Sequence, residues 1–262
     1  MNNIKKAVIP IAGYGSRMFP ETLFINKALL PIGNKPVILF LLEELLNANI
    51  TDVYIIISPN QSSIIDLLKP TSEELRNKFK DNQEIKSFNK LISSFKFHYT
   101  IQNTPNGLAR ALLLLKNEIN EPFALLLGDN IVIPTNNGIS YLIEQYKTYN
   151  TNIIGVQKVK KEEINKYGVI TSNNYTNPIV VNDFLEKPQQ SKSNIVSLGR
   201  YVLNNTIFDY IQEDINKKDE LLLPKYIIKE KTLAFLLDAT WLDVGTKESF
   251  AKANIYINNQ ER

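Results

Sequence analysis

Short apolar runs alternate with amphipathic stretches along most of the chain. The first run, residues 5–11, is β-branched and has no polar alternation, which predicts a strand buried on both faces. Residues 37–48 carry apolar side chains at helical spacing, and a second apolar run at 52–57 ends at Ser58-Pro59-Asn60. A strand, a helix and a strand at this spacing form a right-handed crossover unit. The pattern therefore predicts an α/β fold.

The same alternation continues toward the C-terminus. Helical periodicity also marks the charged connection 62–94, where solvent-facing helices need no further function. Further strands are predicted at 95–102, 122–127, 152–159, 166–170 and 233–237. Further helices are predicted at 108–116, 207–215, 221–229 and 247–257. At 262 residues the chain is long enough to bury a full core in one domain.

Composition disfavours several classes of chemistry. Hydrophobic residues at 44% and charged residues at 22% are ordinary for a globular protein, and a net charge of +3 argues against a dedicated nucleic-acid or membrane surface. With no cysteine, the chain has no disulfide framework and no thiol nucleophile. The single histidine, His98, lies in an alternating run and is interpreted as a structural strand residue. A histidine-activated nucleophile is therefore disfavoured.

No stretch has the pattern of a targeting or membrane segment. The N-terminal apolar run is short and is soon interrupted by Gly13, unlike a signal peptide. No apolar run reaches the roughly 20 residues that a bilayer crossing needs. We therefore expect a cytoplasmic protein that binds neither nucleic acid nor membrane.

A glycine-rich turn follows the first strand. Residues 12–15, Ala-Gly-Tyr-Gly, offer backbone N–H groups to a ligand, and Arg17 and Lys27 follow within about three helical turns. Met18 stands where a dinucleotide fingerprint has its third glycine, and the Gly-Lys-Ser/Thr ending of a P-loop is absent. Two interpretations stay open: a tight turn with surface cations, or a site for a polyanion such as a nucleoside triphosphate.

Two later segments end in residues that carry chemistry. The strand at 122–127 runs into Gly128-Asp129, and ligands of open α/β sheets gather at the carboxyl ends of strands. A carboxylate there is a hard oxygen ligand for Mg²⁺. Glu186-Lys187 places a carboxylate beside an ammonium group. A capping aspartate and a surface ion pair are the structural alternatives for the two segments.

Together these motifs resemble the signature of the sugar-1-phosphate nucleotidyltransferases, which join a nucleoside triphosphate to a sugar 1-phosphate and release pyrophosphate. The resemblance runs from about Lys5 to about Phe250 and begins with Gly-Tyr-Gly-Ser-Arg-Met-x-Pro and Asn-Lys-x-Leu-Leu-Pro-x-x-x-Lys-Pro. It implies a Rossmann-like three-layer α/β nucleotidyltransferase fold with a mostly parallel mixed central sheet. It further implies one domain over 1–262, with a nucleotide-binding half at about 1–135 and a sugar-phosphate-binding half at about 136–262.

The resemblance also implies a role for each matching residue. Catalytic roles fall on Arg17, Lys27 and Lys187, the first two on the leaving pyrophosphate and the third on the incoming phosphate. The implied nucleotide contacts are Ala12, Gly13, Gly15, Gln102, Gly107 and Asp129, with the Gln102 amide reading the edge of a pyrimidine. The implied sugar-phosphate contacts are Gly168, Glu186, Lys187 and Gly199. Asp129 and Asp243 would hold Mg²⁺, the expected cofactor.

Two branches of the family share features with this chain. The long helical spacer before Gln102 and the segments 166–170 and 199–203 resemble bacterial UTP–glucose-1-phosphate uridylyltransferases. The segments 107–109, 127–131 and 241–243 resemble thymidylyltransferases instead. We therefore expect uridylyl transfer from UTP to glucose 1-phosphate, with dTTP-dependent thymidylyl transfer as the alternative.

Two substitutions depart from the family pattern. Leu23 stands where the family usually has a cationic residue. The segment that ends at Pro224 has only one of the two acidic residues that the family pattern has there. These changes raise a further alternative, a nucleotide-sugar sensor that has the fold without the activity. Dimers or tetramers are usual in the family, so we expect a homo-oligomer.

Overall fold

A ten-stranded sheet forms the centre of the computed structural model, which describes residues 4–134 and 138–260. Two small two-stranded sheets, β2–β3 and β7–β14, accompany it. The strands are β1 (Lys6–Pro10), β2 (Pro31–Ile32), β3 (Lys35–Pro36), β4 (Asp52–Ile57), β5 (Lys96–Ile101), β6 (Phe123–Leu126), β7 (Asn130–Pro134), β8 (Asn152–Lys158), β9 (Gly168–Thr171), β10 (Ile179–Val180), β11 (Asp183–Glu186), β12 (Ile195–Leu203), β13 (Thr232–Leu236) and β14 (Ala239–Asp243).

Helices connect these strands. They are α1 (Glu21–Phe24), α2 (Val37–Asn47), α3 (Ser63–Leu67), α4 (Glu73–Lys78), α5 (Gln83–Ser93), α6 (Leu108–Leu113), α7 (Ile139–Tyr149), α8 (Ile207–Glu213), α9 (Leu223–Ile227) and α10 (Lys247–Gln260). Short 3₁₀ helices cover Ser16–Met18, Lys27–Leu29, Pro59–Gln61 and Lys161–Lys166. None of the helices in the described ranges is both long enough and apolar enough to cross a bilayer.

The main path of the large sheet runs β10-β13-β8-β12-β6-β1-β4-β5. Parallel pairing joins β1 to β4 and β6, β4 to β5, and β8 to β13. The long strand β12 is antiparallel to both β6 and β8, so it joins the two halves of the sheet. The predicted α/β class with a mixed, mostly parallel central sheet is confirmed.

Two apolar cores cover the two faces of the sheet. Along β1, Ala7 and Ile9 belong to a core with α2, α7 and α10, whereas Val8 belongs to a core with α6, α8 and α9. Successive strand residues point to opposite faces, which is why an uninterrupted apolar run is needed here. The three-layer arrangement that the resemblance implied is therefore present.

Some predicted boundaries change, and several elements were not predicted. The helix predicted at 221–229 shrinks to α9, in which Pro224 occupies the first turn, the position that tolerates a residue without an N–H. The helix predicted at 108–116 ends at Leu113. The additional elements include helix α7, the long strand β12 and the strand pair β7–β14.

The interpretation of His98 agrees with the structure. Its ring stacks on Tyr54 with centroids 4.3 Å apart, and its Nε2 lies 3.1 Å from Asp52 Oδ1. Both partners belong to β4, next to β5, so His98 supports the edge of the sheet.

Candidate active site

The glycine turn after β1 is held by a threonine. Gly15 has φ +64°, a left-handed conformation, and a Cβ built on it would lie 3.0 Å from Thr22 Cγ2. The Thr22 hydroxyl donates a 2.8 Å hydrogen bond to the Gly15 carbonyl. Gly13, in contrast, has no atom within 4 Å of a Cβ position, so its backbone faces open space. The turn is thus braced on one side and open on the other.

Asn26 fixes Lys27, a role that sequence reasoning missed. The buried Asn26 amide donates to the Ile11 carbonyl at 3.0 Å and accepts from the Ala28 N–H at 2.8 Å. This cap starts the 3₁₀ helix that carries Lys27, whose Nζ lies 2.8 Å from Asp129 Oδ2. In the Asn-Lys pair of the motif, Asn26 therefore fixes the backbone and Lys27 supplies the positive charge.

The strand pair β7–β14 brings the two aspartates together. Asn130, next to Asp129, stands opposite Asp243 in the ladder, and the Val244 N–H donates to the Asp129 carbonyl at 2.9 Å. A Cβ built on Gly245 would lie 2.9 Å from Asp243 Oδ1 and 3.5 Å from Asp129 Oδ2. The two carboxylates, more than a hundred positions apart in sequence, thus face one small space.

Arg17 reaches the same space. Its Nη2 lies 3.2 Å from the Gly245 Cβ position and 3.9 Å from Asp129 Oδ2. The glycine turn, Lys27 and both aspartates therefore form one cluster, as expected if they serve a single polyanion.

The two carboxylates have opposite pKa shifts. Burial raises the pKa of Asp129, but the Lys27 ammonium and the Arg17 guanidinium outweigh burial and hold this pKa below its ordinary value. Burial also raises the pKa of Asp243, where the Asp129 charge adds to the rise while the Gly245 N–H opposes it. Arg17 lowers the pKa of Asp243 as well, but at this carboxylate burial outweighs it. The Lys27 ammonium, 2.8 Å from Asp129, acts on Asp129 more strongly than Arg17 does.

A first cleft, of about 400 Å³, opens beside the glycine turn. It is lined by all the predicted nucleotide contacts: Ala12, Gly13, Gly15, Gln102, Gly107 and Asp129. The buried Gln102 amide donates to Asn106 Oδ1 at 3.2 Å and to the Gly107 carbonyl at 3.3 Å. Gly107 has φ +109°, and a Cβ there would lie 3.0 Å from Glu220 Cγ. The segment from Gln102 to Gly107, which is expected to read the base, is therefore closely packed.

A second cleft, of about 260 Å³, adjoins the first and shares Asp129 with it. It is lined by Arg17 and Asp243 and by the predicted sugar-phosphate contacts Gly168, Glu186, Lys187 and Gly199. Lys187 adopts φ +43°, which is strained for a side chain with a Cβ, and its N–H donates to the Tyr167 carbonyl at 3.1 Å. Its Nζ lies 3.3 Å from Glu186 Oε1.

A buried ion pair behind the clefts was not predicted. Arg200, with no exposed surface, donates from Nε to the Glu44 carboxylate at 2.9 Å and from Nη2 to the Asn130 carbonyl at 2.8 Å. Glu44 also accepts the Ile139 N–H at the start of α7. One signal was available: residue 44 falls on the apolar face of α2, together with Leu41 and Leu45.

The sequence of this chain matches a known protein family over nearly its whole length. Residues 6–260 match the family model described as "Nucleotidyl transferase". The chain belongs to the nucleotidyl transferase family. This membership confirms the resemblance that the motifs indicated, and it covers both clefts and the strand pair that joins them.

Individual members of the nucleotidyl transferase family are similar over nearly their full length. A Bacillus subtilis protein named UTP–glucose-1-phosphate uridylyltransferase is 36% identical over 97% of this chain and 89% of its own. A Mycoplasma pneumoniae protein with the same name is 34% identical over 98% of this chain and 93% of its own. Among solved structures, a UDP-glucose pyrophosphorylase complexed with UDP-glucose superposes with a TM-score of 0.88 at 29% identity, covering 98% and 99% of the two chains.

Proposed function

We propose that this nucleotidyltransferase transfers the uridylyl group of UTP to glucose 1-phosphate, giving UDP-glucose and pyrophosphate. The observation that carries the proposal is the meeting of the two clefts at Asp129, with Asp243, Arg17 and Lys27 around the junction. One cleft suits a nucleotide and the other a sugar phosphate. The reacting phosphates of both substrates would lie at the shared wall.

The reaction needs no covalent protein intermediate. A phosphate oxygen of glucose 1-phosphate attacks the α-phosphorus of UTP in line, and the bond from that phosphorus to the bridging oxygen breaks. Pyrophosphate leaves with the electron pair. The contribution of the protein is to orient the reactants and to neutralise charge.

Cationic side chains supply most of that neutralisation. Lys27, on the nucleotide side, and Arg17, beside it, would hold the leaving pyrophosphate. Lys187 would hold the phosphate of glucose 1-phosphate, and the neighbouring Glu186 would accept hydrogen bonds from sugar hydroxyls. The strained φ of Lys187 supports this role, because such strain persists where the surrounding structure imposes a geometry.

The carboxylate pair fits a magnesium ion. Among the described residues no group of three or more acidic, histidine or cysteine side chains could hold a metal alone, but Mg²⁺ commonly takes one or two carboxylates plus substrate phosphates. Asp129 and Asp243 would hold the ion, which would relieve the repulsion that helps to raise the pKa of Asp243. When bound, Mg²⁺ supplies charge stabilisation to the phosphates.

The two departures from the family pattern leave the carboxylate pair intact. Leu23 is 64% exposed and lines a separate groove beyond the nucleotide cleft. Pro224 is buried in the first turn of α9 and belongs to the lining of the second cleft. Both aspartates and both leading cations are present and close together despite these departures, which favours an active enzyme over a sensor without activity.

A nucleotide-by-sugar activity matrix tests the substrates. We expect pyrophosphate release to be fastest with UTP and glucose 1-phosphate. Faster release with dTTP would favour the thymidylyltransferase alternative. Nucleotide binding without release for any pair would favour the sensor.

An acid-to-amide substitution tests the reaction centre. Asp129→Asn should reduce kcat by at least about 100-fold, because it removes charge at the junction of the clefts while keeping shape. Asp66→Asn, an exposed change in a pair with Lys69, is the control and should leave kcat unchanged. Near-normal turnover of Asp129→Asn at limiting Mg²⁺ would refute the assignment.

The cytoplasmic location and the homo-oligomer stay predictions.

A further inference from the structure

The indole of Trp241 is linked to both carboxylates of the proposed reaction centre. Trp241 is the single tryptophan of the chain. Its Nε1 donates to Asn130 Oδ1 at 2.7 Å, and Asn130 Nδ2 donates to Asp129 Oδ1 at 2.9 Å. Its ring also packs on Tyr167, with centroids 4.6 Å apart, and the Tyr167 hydroxyl lies 3.3 Å from Asp243 Oδ2. One side chain is thus linked to each aspartate through one intermediary.

The chemistry of the indole determines which way the Asn130 amide faces. An indole nitrogen can only donate a hydrogen bond, so the amide oxygen must face Trp241 and the amide nitrogen must face Asp129. The reverse orientation would place a carbonyl oxygen against a carboxylate and an N–H against an N–H. The Trp241 N–H and the Asp129 carboxylate therefore select the same orientation of the amide, and the indole adds the second of the two restraints.

The backbone of Asn130 is held independently of the indole. Its carbonyl accepts from Arg200, whose guanidinium is buried and paired with Glu44 at 2.9 Å. Within the β7–β14 pair, Asn130 stands opposite Asp243. Rotation of the Asn130 side chain is therefore the remaining freedom, and the Trp241 N–H restricts it.

Asp129 is oriented as a result. Because the Asn130 amide occupies Asp129 Oδ1, the other oxygen, Oδ2, is the one that faces Lys27 and the Gly245 position. We call the contacts from Trp241 through Asn130 the Asp129 arm and those through Tyr167 the Asp243 arm. In the Asp243 arm, the Tyr167 hydroxyl restrains Asp243 Oδ2, and Oδ1 accepts the Gly245 N–H at 2.7 Å.

We propose that Trp241 is a positioning residue that orients both metal-binding carboxylates, Asp129 through the Asn130 amide and Asp243 through Tyr167. The proposal rests on the proposed function, since it takes the two aspartates as ligands of a divalent cation. Partners of metal ligands that lie one contact away commonly change metal affinity by about 10–100-fold when they are lost.

Two substitutions separate the arms. Trp241→Phe keeps a ring against Tyr167 but removes the N–H, so it disturbs only the Asp129 arm. Tyr167→Phe keeps the ring contact with Trp241 but removes the hydroxyl, so it disturbs only the Asp243 arm. The matched control is Tyr146→Phe, which removes an aromatic donor to an asparagine oxygen, Asn204 Oδ1 at 2.6 Å, away from the clefts.

The measurement is Mn²⁺ binding by electron paramagnetic resonance, with a non-hydrolysable UTP analogue present. We expect Tyr167→Phe, which removes a direct partner of Asp243, to raise the Kd for Mn²⁺ about 10-fold. We expect Trp241→Phe, which acts through Asn130, to raise it by up to about 10-fold and Tyr146→Phe to leave it unchanged. If the wild-type protein binds no Mn²⁺ under these conditions, the metal part of the proposed function fails. If the wild-type protein and Trp241→Phe bind Mn²⁺ equally, the positioning role fails and the proposed function stands.

A second measurement needs no metal. A chain with one tryptophan gives one indole N–H resonance in a ¹⁵N-correlated NMR spectrum. We expect this proton to exchange with water at least about 10-fold faster in Asn130→Ser than in the wild-type protein, because its acceptor is lost. Equal exchange rates would overturn the hydrogen bond on which the proposal depends. This test holds even where Trp241→Phe fails to fold.

Discussion

Adding one methyl group at Gly245 should damage catalysis far more than folding. The Cβ of Gly245→Ala would lie 2.9 Å from Asp243 Oδ1 and 3.2 Å from Arg17 Nη2. Since nonbonded heavy atoms prefer separations of about 3.5 Å, the carboxylate must move by roughly half an ångström. The φ of Gly245 is not in the left-handed range, so alanine fits the backbone.

The size of the effect follows from that displacement. A misplacement of about 1 Å in a reaction centre can cost about 100-fold in rate, so half of that distance should reduce kcat by about 10- to 100-fold. This corresponds to roughly 1.4–2.7 kcal/mol of activation free energy. The free energy of unfolding should change by less than about 1 kcal/mol, because the methyl group enters a cleft and not the core.

Coupled pyrophosphate release gives kcat, and thermal unfolding gives stability. Gly155→Ala is the contrasting variant, because its Cβ would lie 2.9 Å from Leu237 Cδ1 and 3.0 Å from Leu142 Cδ1 in the core. We expect it to lose about 1–3 kcal/mol of stability and to keep its activity per folded molecule. If Gly245→Ala keeps full kcat, or if both variants lose stability alike, the inferred convergence of groups at Gly245 is wrong.

Three further predictions concern charge. Glu44→Gln should lower the free energy of unfolding by about 3–5 kcal/mol in urea titrations, because it leaves the Arg200 charge buried and unbalanced; a loss under 1 kcal/mol would contradict this. Lys187→Met should raise KM for glucose 1-phosphate about 10- to 100-fold and KM for UTP much less, which steady-state kinetics would show; equal increases would refute the separation of the clefts. The ammonium groups of Lys217 and Lys225 lower the pKa of Asp214, so this group stabilises the fold at neutral pH and its contribution is lost as pH falls below about 4. Thermal unfolding of Asp214→Asn should therefore depend less on pH in that range than the wild-type protein does; parallel profiles would exclude the effect.

Local patterns predicted most of the sheet. The apolar runs at 5–11, 52–57 and 122–127 became β1, β4 and β6, because a strand buried on both faces needs apolar side chains at every position. The motifs also predicted which residues line the two clefts. Helix α7 could have been found from the spacing of Ile139, Leu142, Ile143 and Tyr146.

Long-range pairings were beyond local reasoning. The ladder of β7 with β14 and the contact of Glu44 with Arg200 join positions more than a hundred residues apart. No spacing rule relates such positions, and the partner of a buried charge depends on the packing of the whole domain. Asn130 and Trp241 likewise belong to the sequence motifs, but only the fold shows that Trp241 donates a hydrogen bond to Asn130.

The pairing of β7 with β14 sets an order of events during synthesis. All residues that line the nucleotide cleft are synthesised by position 129, whereas Asp243 is synthesised more than a hundred residues later. An unfinished chain that ends before Ala239 would therefore have every lining residue of the nucleotide cleft but only one of the two carboxylates. Under the proposed function, such a fragment lacks a metal ligand and would not transfer the uridylyl group.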